Sequence, residues 1–236
     1  NGRCWKALWD PRAEGRGRGD AGAIAAMTTA VIARWHIDPT RVYAIGISAG
    51  AFEVSSLAAA YPDVYAAIGI HSGAGYLSGV DGCPPVSAGS TEMAARAAVA
   101  AMGPRARAMP VIIFHGDRDG TIPYRCGHQA VAQWLAADDL ILRRQHSAPV
   151  PSTPSGSTHA AVAGRRAYAV LAYAERPGCP IVEFWSIHGM GHYWSGGSAD
   201  PASLRYSDPT GPSASTASWA FFSRWQRSVD GSRCAR

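Results

Sequence analysis

Val42-Tyr43-Ala44-Ile45-Gly46-Ile47-Ser48-Ala49-Gly50-Ala51 is the stretch that decides the fold. Its apolar half, residues 42–47, reads as a short buried strand, and residues 49–61 read as a helix rich in small side chains and stopped by Pro62. Only Ser48 stands between the two elements. A serine held there by Gly46 and Gly50 sits on a sharp, strained turn whose small neighbours avoid clashes. The turn lifts the hydroxyl clear of the sheet and aims a helix N-terminus at any negative charge that develops beside it. Gly46-Ile47-Ser48-Ala49-Gly50 is the single G-x-S-x-G of the chain. It predicts Ser48 as a nucleophile and the backbone amide of Ala49 as one donor to an oxyanion.

Outward from this turn, short apolar runs alternate with helical stretches, which predicts an α/β fold with parallel strands. Upstream, residues 21–35 read as a helix with Asp20 as N-cap; Ile24, Met27, Val31, Ile32 and Trp35 share one face. Asp38-Pro39 breaks it. Downstream come a strand over 66–71, a Gly/Pro/Ser-rich loop over 72–90 and a helix over 91–102. A strand over 111–114 and a helix over 127–137 follow, the latter with Val131, Trp134 and Leu135 inward. Strands over 167–175 and 181–188 form a hairpin. A last helix, 215–225, aligns Trp219, Phe222 and Trp225 in a stripe that reads as core. The Ser/Pro-rich stretch 147–157 reads as a surface-loop insertion, because elements on both sides are needed for one sheet. Residues 1–236 are accordingly expected to form a single catalytic domain.

The bulk numbers exclude several classes. A chain of 236 residues, 47% of them hydrophobic, buries a sizeable core without needing disulfides. The formal charge is +5, yet Lys6 is the only lysine and no basic run is long enough for a nucleic-acid tail. No segment reaches the roughly 18 apolar residues of a membrane span. Neither nucleic acid nor membrane is therefore an expected partner. The cysteines, Cys4, Cys83, Cys126, Cys179 and Cys234, form no C-x-x-C pair. They suit an oxidising compartment, with at most two internal bridges and one left over.

A serine hydroxyl needs an adjacent base, itself oriented by a third group. His115-Gly116-Asp117-Arg118-Asp119 follows the strand over 111–114 and offers two carboxylates. Asp119, deeper in the loop and able to curl back over the strand end, is the expected acid; Asp117 is expected to cap the loop or pair with Arg118. Five histidines follow Asp119. His128, His146 and His159 are expected at the surface. His192, on the Gly-rich loop beyond the strand over 181–188, is the expected base, with His188 structural. The H-x-x-x-H spacing of His188 and His192 invites a metal, but the two glycines between them oppose the helix such a pair needs. No metal and no cofactor is expected.

Several pieces together carry a family resemblance: Cys4-Trp5, Ile37-Asp38-Pro39 leading into Arg41-Val42-Tyr43, and Gly46-Ile47-Ser48-Ala49-Gly50-Ala51. Further along come Tyr61-Pro62-Asp63, His71-Ser72-Gly73, His115-Gly116-Asp117-Arg118-Asp119, His188 through Gly197, and Asp208-Pro209-Thr210-Gly211-Pro212. The chain resembles the polyhydroxybutyrate depolymerase and feruloyl-esterase group of secreted α/β-hydrolases over nearly its whole length. The resemblance implies a triad of Ser48, Asp119 and His192, secretion, no cofactor, and action on hydroxyalkanoate esters or related short-acyl and aromatic esters. Chains of that group carry more sequence before the Cys-Trp motif, holding the first strands and an oxyanion-hole loop. An α/β-hydrolase sheet lacking those N-terminal strands is therefore expected, with the strand of Ser48 at an edge and a homodimer or a separate segment completing it.

Ester hydrolysis on polyhydroxyalkanoate-type polyesters leads, with acetylxylan or feruloyl esters of plant walls as the alternative substrates. Trp5, Trp9, Tyr193 and Trp194 are aromatics that would stack on a polymer, or equally pack in the core; Trp5, Tyr193 and Trp194 are the candidate substrate contacts. The competing class is a non-catalytic binding module or inactive fragment, which would not need three triad residues in order.

Overall fold

The structure is a computed structural model that describes residues 4–78, 83, 86–145, 147–174, 176–228 and 231–234. Six strands form one sheet, in the order β1 (Tyr43–Ile47), β2 (Ala67–His71), β3 (Val111–Gly116), β6 (Val182–Ile187), β5 (Tyr168–Tyr173) and β4 (Gly156–Ala160). The first four run parallel, and β5 and β4 are antiparallel additions. Parallel neighbours need crossovers, supplied by α2 (Ala49–Ala60) between β1 and β2 and α3 (Ala88–Met102) between β2 and β3. Two further helices are α1 (Gly19–Trp35) and α4 (Arg125–Arg144); α5 (Ala214–Phe222) closes the series.

Alternation along the strands builds two cores, as the two-residue period requires. Ile68, Ile70, Val111, Ile113 and Phe184 face α2, α3 and α4. Ala67, Ile112, Phe114 and Ile187 face Phe221 and Phe222 of α5. Covered on both sides, β2 and β3 are buried throughout, hence their nearly continuous apolar sequence. In α2, 11 of 12 residues are buried. It keeps no polar face, and its alanines and Gly50 are what let it lie between sheet and neighbouring helices.

Several expectations change. Asp20 lies inside the first turn of α1 rather than capping it; the N-cap is Arg18, and Glu14 Oε2 accepts the Ala21 amide at 2.7 Å. Of the apolar face expected for this helix, Ile24 and Ile32 are part-buried, Ile24 against the core, and the rest is left uncovered. Met27, Val31 and Trp35 are 60%, 47% and 67% exposed, because α1 packs through Ala21 and Ala25 instead. Of the stripe expected on the last helix, Phe222 and Trp225 are buried and Trp219 is not, and the helix ends at Phe222, short of Trp225. Phe221, Phe222 and Trp225 turn inward with Ala214 and Ser218, and Trp219 faces solvent. In the 147–157 stretch, residues 147–155 form neither helix nor strand, but Gly156 already opens β4, a strand absent from the sequence reading. His146 lies outside the described residues; His128 and His159 are exposed, as expected.

Cys83 pairs with Cys126 and Cys179 with Cys234, leaving Cys4 free and exposed. Among the described residues β1 pairs only with β2, so the strand that leads into Ser48 is the sheet edge. No described helix is long and apolar enough to cross a membrane.

Candidate active site

Ser48 follows β1 directly and precedes α2, with φ 56° and ψ −126°. Positive φ on a non-glycine residue stores about 1–3 kcal/mol of strain and persists only where surroundings impose it. Three hydrogen bonds impose it here. The Ser48 amide donates to the His71 carbonyl at 3.0 Å, and the Ser48 carbonyl accepts the Ala51 and Phe52 amides at the start of α2. Gly46 is required as well, since a Cβ there would collide with the backbone of Gly50. Ser48 is part-exposed, and Ala49 is buried at the helix N-terminus.

Asp119 hangs from the loop after β3. Its Oδ1 accepts the amides of Thr121 and Ile122, each at 2.9 Å, and its Oδ2 lies 2.8 Å from His192 Nδ1. The side chain is fully buried. Burial alone would raise this carboxyl, but the bond from His192 and the two amides prevail and hold it below the ordinary carboxylate value. His192 rises from the loop after β6 and is half-buried. Ser48, Asp119 and His192 thus follow the C-terminal ends of β1, β3 and β6, where parallel α/β sheets gather their functional side chains.

Asp117 does not pair with Arg118. Its Oδ2 lies 3.0 Å from His188 Nδ1, and its Oδ1 accepts the Gly189 amide at 2.7 Å. The Arg118 amide meanwhile donates to the Met190 carbonyl at 3.1 Å. The loops after β3 and β6 are thereby fastened together, and Gly116 is needed where a Cβ would strike the Met190 carbonyl.

His71, at the end of β2, takes no part in the sequence reading beyond its motif. Its Nε2 accepts the Ser195 amide at 3.1 Å, and its ring stacks on Trp194 at 5.0 Å and Phe114 at 5.5 Å. Fully buried, it is pushed down to about 3, chiefly by desolvation and then by the neighbouring His115 and His192. It is neutral, and it anchors the chain just beyond His192. That anchor continues through β7 (Trp194–Ser195), which pairs with β8 (Ser207–Asp208). Arg166 Nε bonds Asp208 at 2.6 Å, and Ser195 Oγ donates to Pro212 at 2.6 Å. A buried histidine followed by a glycine-containing loop, His71-Ser72-Gly73, is the signal that would have pointed to this role.

Of the candidate substrate contacts, Trp5 is 44% exposed and lies against Gly50, and Tyr193 is 38% exposed beside His192. Trp194 is half-buried, with its ring on His71 and its Nε1 directed to Ser215 Oγ at 3.3 Å. It is a wall of the site more than a free platform.

The family described as esterase PHB depolymerase matches residues 1–146. Poly(3-hydroxyalkanoate) depolymerase C of Paucimonas lemoignei is 30% identical over 190 residues, 75% of this chain and 41% of that protein. Feruloyl esterase B of Neurospora crassa is 28% identical over 202 residues, 80% of this chain and 63% of that protein. Among solved structures, the acetyl xylan esterase from Aspergillus awamori superposes with TM-score 0.68 at 20% identity, covering 94% of this chain and 74% of the other. That is a likeness of fold, and the fold is that of the α/β-hydrolase esterases. The chain spans about half the length of the curated relatives it matches.

Proposed function

The chain belongs to the esterase PHB depolymerase family, and from that premise we propose that it is a carboxylic ester hydrolase with Ser48 as nucleophile, His192 as general base and Asp119 as orienting acid. The observation that carries this reading is the Asp119–His192 pair at 2.8 Å, set on the strand ends that also present Ser48 on its strained turn. In the proposed cycle His192 donates from Nδ1 to Asp119, so Nε2 is free to take the Ser48 proton as Oγ attacks the ester carbonyl. The tetrahedral oxyanion receives the Ala49 amide at the start of α2. Collapse expels the alcohol, protonated by His192, and leaves an acyl-enzyme; water activated by the same imidazole then releases the acid.

Polyhydroxyalkanoate-type polyesters or their oligomers are the proposed substrates. Support comes from the Paucimonas relative and from a part-exposed serine, with the exposed rings of Trp5 against Gly50 and of Tyr193 next to His192 suiting a long chain that lies across the surface. Acetylxylan or feruloyl esters are the second reading, favoured by the names of the fungal relatives. Two disulfides support action in an oxidising, extracellular setting. We read residues 1–236 as one catalytic domain, and no cofactor enters the proposed cycle.

The test is release of p-nitrophenol from a butyrate ester by the purified chain and by Ser48→Ala. Triad members act as a unit, so the variant should lose on the order of 10³-fold or more in kcat while keeping its fold. Wild-type turnover by folded Ser48→Ala would overturn the assignment. Parallel assays on polyhydroxybutyrate film, acetylxylan and methyl ferulate separate the substrate readings.

A further inference from the structure

Behind the Ser48 turn, three carboxylates meet that no step of the proposed hydrolysis uses. Glu14 stands in the loop before α1, Asp20 in the first turn of α1, and Glu53 on α2. One oxygen from each lies within 4.8 Å of the others. Glu14 and Glu53 are only 1% and 2% exposed, and Asp20 is half-buried, leaving the cluster open to solvent on one side. Gly19, with φ +66°, lets the backbone close around the Glu14 carboxylate, which a Cβ there would strike.

The cluster is short of positive partners. Glu14 Oε2 accepts the Ala21 amide and Asp20 Oδ2 the Lys6 amide, at 2.7 and 2.9 Å. Glu14 Oε1 and both Glu53 oxygens are buried without a hydrogen bond of normal geometry among the described residues. The charges acting on Glu53 are those of Glu14 and Asp20, both negative. In a chain with 22 basic and 17 acidic residues, such a gathering is the exception. Buried carboxylates of one sign are costly unless a counter-charge joins them. Left to themselves, burial and the two neighbours push Glu53 up to about 8.

We propose that Glu14, Asp20 and Glu53 form a binding site for a hard divalent cation of calcium's size, which ties the loop before α1 to α2 and so braces the Ser48 turn. All the donors are carboxylate oxygens, with neither sulfur nor imidazole, which selects calcium or magnesium over zinc and copper. Carboxylates from three separate elements suit calcium, whose bonds of about 2.3–2.6 Å and loose geometry span such a group; magnesium prefers to keep its own waters. One Glu53 oxygen without a hydrogen bond of normal geometry stands in the cluster beside those of Glu14 and Asp20, and solvent on the open side would complete the coordination. The site is independent of the esterase reading.

The test uses the whole chain, stripped with EDTA and exchanged into metal-free buffer at constant ionic strength. Thermal melts are recorded against calcium chloride and, separately, magnesium chloride; terbium luminescence is titrated and competed with calcium. Calcium should raise Tm saturably, by roughly 5–10 °C at about a hundredfold excess over Kd, and by more than magnesium does. Terbium should bind and be displaced. Glu53→Gln and Asp20→Asn should be at least as stable as the parent in EDTA and bind calcium more than tenfold weaker. A parent with no saturable calcium shift beyond that of magnesium, and no calcium-displaceable terbium, would overturn the site. So would Glu53→Gln retaining the full calcium increment. Should the variants not fold, the terbium titration of the parent decides alone.

Discussion

The Asp117 carboxylate lies 3.0 Å from His188 Nδ1, so a second acid–imidazole pair runs beside the 2.8 Å pair of Asp119 and His192. Both ties join the same two segments, the loops after β3 and β6. The outer pair is exposed and the inner one is buried on its acid side. Two similar pairs therefore differ in setting: the outer ties the loops at the surface, and the inner fixes the His192 ring against a buried carboxylate, the orientation the proposed cycle uses.

That division predicts how substitutions at the two aspartates differ. Asp119→Asn should lower kcat by roughly 10⁴, because the amide leaves the imidazole in the wrong tautomer. Asp117→Asn should cost about 1–2 kcal/mol of stability and less than tenfold in kcat. His192→Ala should be inactive and His188→Ala only impaired. Urea melts with p-nitrophenyl butyrate kinetics read both effects, and reversed rankings would exchange the roles of the two pairs.

Acid should unfold this protein through its buried histidines. Burial lowers His71 to about 3 and lowers His115 as well. Below about pH 6.5 the unfolded chain takes up protons that the native rings refuse, so stability falls as pH falls. For His71 the loss continues down to about pH 3, at up to about 1.4 kcal/mol per pH unit. His71→Gln keeps an acceptor for the Ser195 amide but no titratable ring. Its stability should decline less steeply between pH 6 and 4, by about one proton, in chemical denaturation at stepped pH. An unchanged slope would remove His71 from this account.

The Ser48 turn should tolerate no side chain at Gly46. Gly46→Ala places a methyl against the Gly50 backbone at the start of α2, so helix and strand must separate. Esterase turnover should drop by at least roughly 10²-fold, the usual scale for losing one oxyanion donor, and Tm should fall with it. Gly89→Ala, where a Cβ meets open space, is the control and should behave as the parent.

Self-association should follow from the face that α1 leaves open. Met27, Val31 and Trp35 are exposed beside β1, whose outer edge pairs with no described strand. Unpaired edges and apolar patches invite other chains. Light scattering should give a mass that rises with concentration, and Trp35→Glu with Val31→Lys should suppress the rise. A monodisperse monomer at high concentration would count against this expectation.

Elements whose signal is local are legible in the residues alone. Gly46 to Gly50 set strand, turn and helix in one stretch, because only small residues fit a backbone with positive φ at Ser48. Apolar runs mark β2, β3 and β6, because strands covered on both faces favour apolar side chains. The preference for Asp119 over Asp117 as the acid rests on loop position alone, whereas the pairing of Asp119 with His192 joins residues 73 positions apart. Other features depended on partners far along the chain. The period of α1 marks Met27, Val31 and Trp35 as one apolar face, but whether a face is covered depends on what packs there, and α1 uses Ala21 and Ala25. On α5 Phe222 faces inward as its spacing predicts, but Phe221 joins it and Trp219 points outward, since several apolar registers were available and packing against the sheet selected one. The role of Asp117, the anchor of His71 on Ser195 and the meeting of Glu14, Asp20 and Glu53 join residues as much as 124 positions apart. Hydrogen bonds and charge act through space, and no local pattern records which distant groups the fold will bring together.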